Sequence, residues 1–387
     1  MNNPRILIVV PSFESGGTVT SLINFVTLVD KTRFNLNVFA ITNSGVNKKY
    51  IAKQCNIIGE SGSDITKPTT KGIIRNKVFC IVKKLKKGLE KFGIDVSPIL
   101  FRYYAGRLDK GCYDFVLAFQ EGQATLFCSY FKNGFKIAWV RSEYARFIKS
   151  VGYKYSKVYE NYNRIVSVSN ASMDSFLGIL PQYKDIAVVQ HNFLNDERII
   201  TMSREEVMDM DDSDIFTIIS VGRIDPVKRF SEIPKISRSL IDKGAKFRWI
   251  ILGGVAVKKE YELLLKNIKE YKTYNVILLG NKSNPYPYIR KSDLLVSLSI
   301  SETFNNTLTE AKILGVPVVT TDYPCAYESI KHSREGIITS FDNVDNYLLK
   351  MIKNVDNSYI AIKDFLLDYH YEKDELLNHL YNRVLVK

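Results

Sequence analysis

Glu302 and Glu310 stand with seven residues between them in the stretch Leu298–Thr320. The surrounding pattern reads as a buried strand at Leu294–Ser299, a short polar loop, and a helix running to Leu314. A glycine stop and a second buried strand at Val316–Thr321 follow. A helix rises about 1.5 Å per residue, so the two carboxylates can span roughly 10 Å. That is about the separation between the ribose and the transferred sugar of a nucleotide-sugar. Between them, the backbone N–H groups near Asn305, Asn306 and Thr307 open the helix, a place that favours a diphosphate. Two glutamates on a loop and helix are more often simply solvated, so the neighbours decide. Phe216–Val221 is a largely apolar strand followed by Gly222 and Arg223, with Lys228 five residues later. Two cations just past the carboxyl end of a buried parallel strand stand where open α/β sheets bind ligands. Taken together, these residues form a diphosphate clamp with a sugar cradle.

Those motifs resemble a known family. Gly222, Arg223 and Lys228 come first; Gly280, Asn284–Tyr288 and Ser292-Asp293 follow; then Glu302 with Glu310-Ala311, Gly315 and Pro317. The set is similar to the nucleotide-binding half of the family-four retaining glycosyltransferases of bacterial surface-polysaccharide type. It is dense from Phe216 to Ile330 and thinner before, where Ser15-Gly16-Gly17 and Ile165–Ser169 fit. The resemblance implies an α/β protein of GT-B fold, two doubly wound parallel-sheet domains facing each other across a cleft. It implies Arg223 and Lys228 at the leaving diphosphate and Glu302 on the transferred sugar, with retention of anomeric configuration. Glu310 would hold the ribose. Gly222, Gly280, Asn281 and Tyr286 would line the nucleotide, and Asn305, Asn306, Thr307, Gly16 and Gly17 would present helix ends to phosphate.

Three departures from the family pattern stand out. Thr303 and Asn305 occupy positions where relatives often have glycine. Arg141, in Trp139–Glu143, stands where relatives commonly carry histidine. An arginine is no base at neutral pH, so Arg141 would bind phosphate, donor sugar or an acidic acceptor, or else pair with Glu143 or another acid. Finally, Val19 stands where relatives often have glutamate.

The elements that must position these residues alternate between strand and helix. Apolar strands are expected at Ile6–Val10, Leu36–Ile41, Phe115–Phe119, Lys136–Val140, Ile165–Ser169 and Ile186–Val189. A second series runs Phe216–Val221, Arg248–Leu252, Val276–Leu279, Leu294–Ser299, Val316–Thr321 and Gly336–Thr339. The expected domains are 1–192 on the acceptor side and 193–359 for the nucleotide-sugar, with a helical tail at 360–387 crossing back. The polar hinge carries Asp209, Asp211, Asp212 and Asp214. Its Asp-x-Asp pairs imitate a metal signature, but they precede a strand and read as a solvated linker.

Composition narrows the class. The chain has 387 residues, 45% apolar and 25% charged, as in a soluble globular protein of two domains. No apolar run reaches transmembrane length, and Met1–Val10 lacks the layout of a signal peptide. Five cysteines without a Cys-x-x-Cys pair and four scattered histidines argue against disulfide, zinc or other metal sites. The expectation is a cytoplasmic protein needing no cofactor. Much of the net charge of +13 concentrates in Lys71–Lys91, an amphipathic helical pattern suited to the anionic inner face of a membrane or to a solvated basic side. No recognised module supports nucleic-acid binding. No Gly-x-Gly-x-x-Gly follows Ile6–Val10, against a dinucleotide oxidoreductase. The leading expectation is a transferase moving sugar from a nucleotide-sugar, a UDP-sugar by preference, to a glycan or lipid-linked glycan. The alternatives are a same-fold epimerase or phosphorylase, or a non-catalytic glycan- or nucleotide-binding partner of another transferase.

Overall fold

The computed structural model describes residues 3–14, 16–58, 97–210 and 214–387. The basic segment 71–91 therefore lies outside the described residues, as do Ser15, Asp211 and Asp212. The chain divides into two compact units, Met1–Phe193 with Asp374–Lys387, and Leu194–Lys373.

In the first unit the strands are β1 (Arg5–Val10), β2 (Asn35–Ala40), β3 (Asn56–Ile57), β4 (Phe115–Ala118), β5 (Phe135–Val140), β6 (Arg164–Ser167) and β7 (Ala187–Val189). They form a parallel sheet in the order β3-β2-β1-β4-β5-β6-β7. Residues Ile6 to Val10 are all fully buried, as a strand covered by helices on both faces must be. The order reverses beside β1, the kind of switch point where the loops after two neighbouring strands, here β1 and β4, lead to opposite faces and leave a crevice at the carboxyl ends. Phe25 packs edge-on against Phe119 and Trp139, which are tilted against each other.

The second unit has β8 (Phe216–Val221), β9 (Phe247–Leu252), β10 (Val276–Gly280), β11 (Leu294–Ser297), β12 (Val318–Thr321) and β13 (Gly336–Thr339). They form a parallel sheet in the order β10-β9-β8-β11-β12-β13. Two buried polar links cross the strands. Arg248 donates to the Thr217 hydroxyl at 2.7 Å. The Trp249 indole donates to Ser220 Oγ at 3.0 Å, and Ser220 donates on to the Val296 carbonyl at 2.7 Å. The polar groups of these two links thus keep a partner among apolar neighbours.

The tail differs from the expected single crossing helix. Helix Ser358–Leu367 and the residues up to Lys373 stay in the second unit, and only Asp374–Lys387 joins the first. The helix breaks because the chain is pinned there. Tyr371 accepts the Leu194 N–H at 2.8 Å, and Lys373 pairs with Asp196 at 2.7 Å. Beyond the break, Arg164 donates to the Val384 and Val386 carbonyls at 2.9 and 2.6 Å. Tyr381 accepts the Asp30 N–H at 2.9 Å and stacks on Phe34. β3 was not foreseen, since two residues carry no period to read.

Candidate functional site

The second unit gathers its polar loops at the carboxyl ends of its strands. After β8, Asp225 caps a short turn at Pro226–Lys228, accepting the Val227 and Lys228 N–H groups at 3.0 and 3.1 Å. The Val227 carbonyl accepts the Ile300 N–H at 2.8 Å, which ties this turn to the loop after β11. Lys228 Nζ then reaches Glu302 Oε1 at 2.5 Å, and the Ser299 hydroxyl donates to the same oxygen at 2.8 Å. The lysine stem gets there by lying across Gly222. A Cβ at Gly222 would stand 3.1 Å from Lys228 Cε, and the backbone φ of 155° is one that side chains rarely adopt. Arg223, on the same loop, is 76% exposed and leans on Asp225 at 3.6 Å. Sequence reasoning placed Arg223, Lys228 and Glu302 together; the structure joins Lys228 to Glu302 and turns Arg223 outward.

The loops after β8, β9 and β10 are laced through their backbones. Gly253 donates to the Gly280 carbonyl at 2.8 Å, and Ile224 donates to the Gly254 carbonyl at 2.9 Å. A Cβ on Gly253 would fall 1.7 Å from the Gly222 carbonyl oxygen, so this contact requires glycine. Asn281 follows Gly280 (φ 71°) and packs beside Gly254, 3.6 Å from where a Cβ would be.

Helix Asn306–Ile313 starts where β11's loop ends. Asn305, 4% exposed, donates to Ser297 Oγ at 3.2 Å and to the Tyr323 hydroxyl at 3.1 Å. Its side chain therefore serves the loop rather than the helix, which has no side-chain cap and no acidic residue in its first turn. Asn306 and Thr307 stand at this positive end. One turn further on, Glu310 is 7% exposed. Burial pushes its carboxyl up to about 7, while a hydrogen bond from Tyr286 and the charge of Arg198 pull it back. Tyr286 opens the short helix Tyr286–Arg290 and is itself buried; Asn284 accepts its N–H at 3.2 Å. Arg198 lies on helix Asp196–Met202, capped by Asn195 at 2.9 Å. Asp209, from the acidic hinge, accepts from Lys282 at 2.5 Å and from the Tyr288 hydroxyl at 2.7 Å. Among the described residues no group of three His, Cys, Asp or Glu side chains is placed to hold a metal ion.

In the first unit, Gly16 (φ 152°) precedes helix Gly17–Leu28, which also lacks a side-chain cap and a first-turn acid. Among the described residues, none beyond the chain neighbours and the helix's own backbone lies within 4 Å of a Cβ built on either glycine. Arg141 directly follows β5. Its guanidinium lies over the rings of Phe119 and Trp139, 4.1 and 5.1 Å from their centroids, and donates to the Phe119 carbonyl and to Asn192, both at 2.9 Å. Glu143, its expected ion partner, is exposed and precedes the next helix. A planar cation with two aromatic faces beside it stacks inward more readily than it reaches out. The carboxylate it does meet is Glu121, whose Oε2 accepts the Arg141 backbone N–H at 2.8 Å.

Sequence reasoning missed Glu121, Arg198 and Gly253-Gly254. The glycine pair directly after an apolar strand was a readable signal. Glu121 gave only a faint one, a single acid between the end of a buried strand and a glycine.

Residues 210–364 match the family described as glycosyl transferases group 1. A Campylobacter jejuni relative, named N-acetylgalactosamine-N,N'-diacetylbacillosaminyl-diphospho-undecaprenol 4-alpha-N-acetylgalactosaminyltransferase, is 30% identical over 141 residues, 36% of each chain. A Staphylococcus aureus relative, the capsular polysaccharide biosynthesis glycosyltransferase CapM, is 27% identical over 131 residues, 33% of each chain. The chain thus spans about a third of the length of these curated relatives. Among solved structures, Anabaena HepE in complex with UDP and glucose superposes with a TM-score of 0.71 at 14% identity, covering 99% of both chains. A mutant of Staphylococcus aureus TarM, with fondaparinux, alpha-GlcNAc-glycerol and UDP, gives a TM-score of 0.69 at 14% identity, over 98% of this chain and 99% of that one.

Proposed function

Residues 210–364 belong to the glycosyl transferases group 1 family, in a chain of GT-B fold, and from that premise we propose a retaining, metal-independent glycosyltransferase. It moves a sugar from a UDP-sugar to a glycan or lipid-linked glycan. The observation that carries this reading is the contact of Lys228 with Glu302 across Gly222, directly before the helix that bears Glu310. HepE's complex with UDP-glucose supports the choice of donor, and the diphospho-undecaprenol in the Campylobacter relative's name supports a lipid-linked acceptor.

Breaking the bond to the nucleotide puts negative charge on the departing phosphate and positive charge on the anomeric carbon. A diphosphate draws Lys228 away from Glu302, and Glu302 then accepts hydroxyls of the transferred sugar. Arg223 swings from solvent to fork onto phosphate oxygens. The uncapped start of helix Asn306–Ile313 adds a fixed positive dipole. These groups act by facing charge that grows in the transition state. Glu310, braced by Tyr286, takes the ribose hydroxyls, and Gly280 and Asn281 border the base. The acceptor hydroxyl attacks on the face the diphosphate leaves and gives that phosphate its proton, which retains configuration.

A panel of nucleotide-sugars in a thermal-shift assay tests the reading. A ligand at about 100 times its dissociation constant stabilises by about 2.7 kcal/mol. UDP-sugars should raise the melting temperature, and transfer should survive EDTA. A protein that no nucleotide diphosphate stabilises would sink the proposal.

A further inference from the structure

The loop after β4 holds an acid that the mechanism above leaves unused. Glu121 follows the carboxyl end of β4, beside the crevice where the sheet order reverses between β1 and β4. It is 6% exposed. Oε2 is fixed by the Arg141 N–H at 2.8 Å, and Oε1 makes no hydrogen bond to any described residue. A carboxylate so buried is costly without full hydrogen bonding, and an ionised carboxylate can only accept. The loop is braced from both ends by one residue. Arg141 holds Glu121 through its backbone and the Phe119 carbonyl through Nε at 2.9 Å. Its guanidinium is anchored in turn by Asn192 at 2.9 Å and by the faces of Phe119 and Trp139. The next residue, Ser142, has a buried hydroxyl with no partner among the described residues.

We propose that Glu121 is a binding residue for the acceptor, taking a hydroxyl of an uncharged sugar on its Oε1, with Arg141 as the residue that positions it. A carboxylate repels phosphate and satisfies its free lone pairs with O–H donors, which selects a sugar hydroxyl over the polyanionic donor. Arg141 thereby loses the role of phosphate ligand and gains that of a brace. This inference rests on the glycosyltransferase reading.

The experiment uses the full chain, with octyl glycosides of glucose, galactose, N-acetylglucosamine and N-acetylgalactosamine as probes in ligand-observed NMR, and UDP in calorimetry. Glu121→Gln keeps an acceptor for the Arg141 N–H but presents an amide donor where Oε1 stood. Glu121→Asp keeps the charge and shortens the reach. Both should leave UDP affinity within about twofold. Both should weaken at least one glycoside by about tenfold or more, the usual cost of losing a hydrogen bond to a charged group. The inference is overturned if no glycoside binds in a Glu121-dependent way. It is equally overturned if UDP affinity falls with either variant while the melting temperature holds. Wild-type protein that binds glycosides through Glu121 but ignores UDP would instead count against the donor reading alone.

Discussion

Two lysine–glutamate pairs flank the same helix, and they are built differently. Lys228 and Glu302 meet before helix Asn306–Ile313 with side chains 19% and 17% exposed. Lys312, inside that helix, meets Glu335 at 2.7 Å with side chains 6% and 5% exposed. Lys312 also donates to the Ser329 carbonyl at 2.7 Å and lies over the Tyr369 ring. Glu335 accepts the Lys331 N–H at 3.2 Å as well. Both charges of the inner pair are desolvated and surrounded, so neither can leave without stranding the other. The outer pair is reachable by water and has few other partners, so a ligand carrying phosphate and hydroxyl groups can replace each half. Burial, not residue type, separates the pair that holds the helix from the pair proposed to meet the donor.

Removing one partner of the inner pair should have the largest effect. Lys312→Ala strands Glu335 and should cost about 3–5 kcal/mol of unfolding free energy, read from urea melts. A loss no larger than that of an exposed lysine would erase the contrast. Lys228→Ala should lower turnover by about 10²–10³, comparable to losing one oxyanion donor, with an almost unchanged melting temperature. A Lys228→Ala protein that melts early at full specific activity would make the outer pair structural too.

The two glutamates of the site sharpen the comparison further. Glu310→Ala should weaken UDP binding, since ribose contacts are shared by ground and transition states. Glu302→Ala should impair transfer while sparing UDP affinity. Equal losses of UDP affinity in both would show that the carboxylates do not divide the donor between them.

The smallest effect concerns pH. Glu310's carboxyl is raised from an ordinary 4.5 to about 7 by burial, so the folded chain holds this proton more tightly than the unfolded one. Its contribution to stability is fully present below the unfolded value and is lost as pH rises through about 7. The carboxylate is the form that accepts ribose hydroxyls, so UDP affinity should rise over the same range. Tyr286→Phe removes a hydrogen bond that lowers this value, and calorimetry should find the midpoint moved upward. A midpoint that stays put would leave Tyr286 outside the site's electrostatics.

The frame of both sheets was legible because parallel strands buried on two faces are continuous apolar runs, as at Ile6–Val10 and Phe216–Val221. The residues of the proposed donor loops could be picked out because they cluster within a short span of chain around Glu302. The contact between Lys228 and Glu302 was not, since it joins residues separated by 74 positions and depends on Gly222 leaving room for the lysine stem. The surroundings of Arg141 were hidden for a related reason. Its type announced a ligand contact, but Phe119 and Asn192, distant in sequence, decide where its guanidinium points. Glu121 was missed because nothing local marks an acid as buried.

The returning tail has a consequence for how the protein is made. Arg164 finds its carbonyl partners at Val384 and Val386, and Asp30 finds the hydroxyl of Tyr381. The unit whose strands are translated earlier thus waits for Asp374–Lys387, made after the whole second unit, to complete its contacts. The later unit, continuous from Leu194 to Lys373, has all its parts once its own stretch has emerged. Nascent-chain order and the order of structural completion are therefore reversed in this molecule.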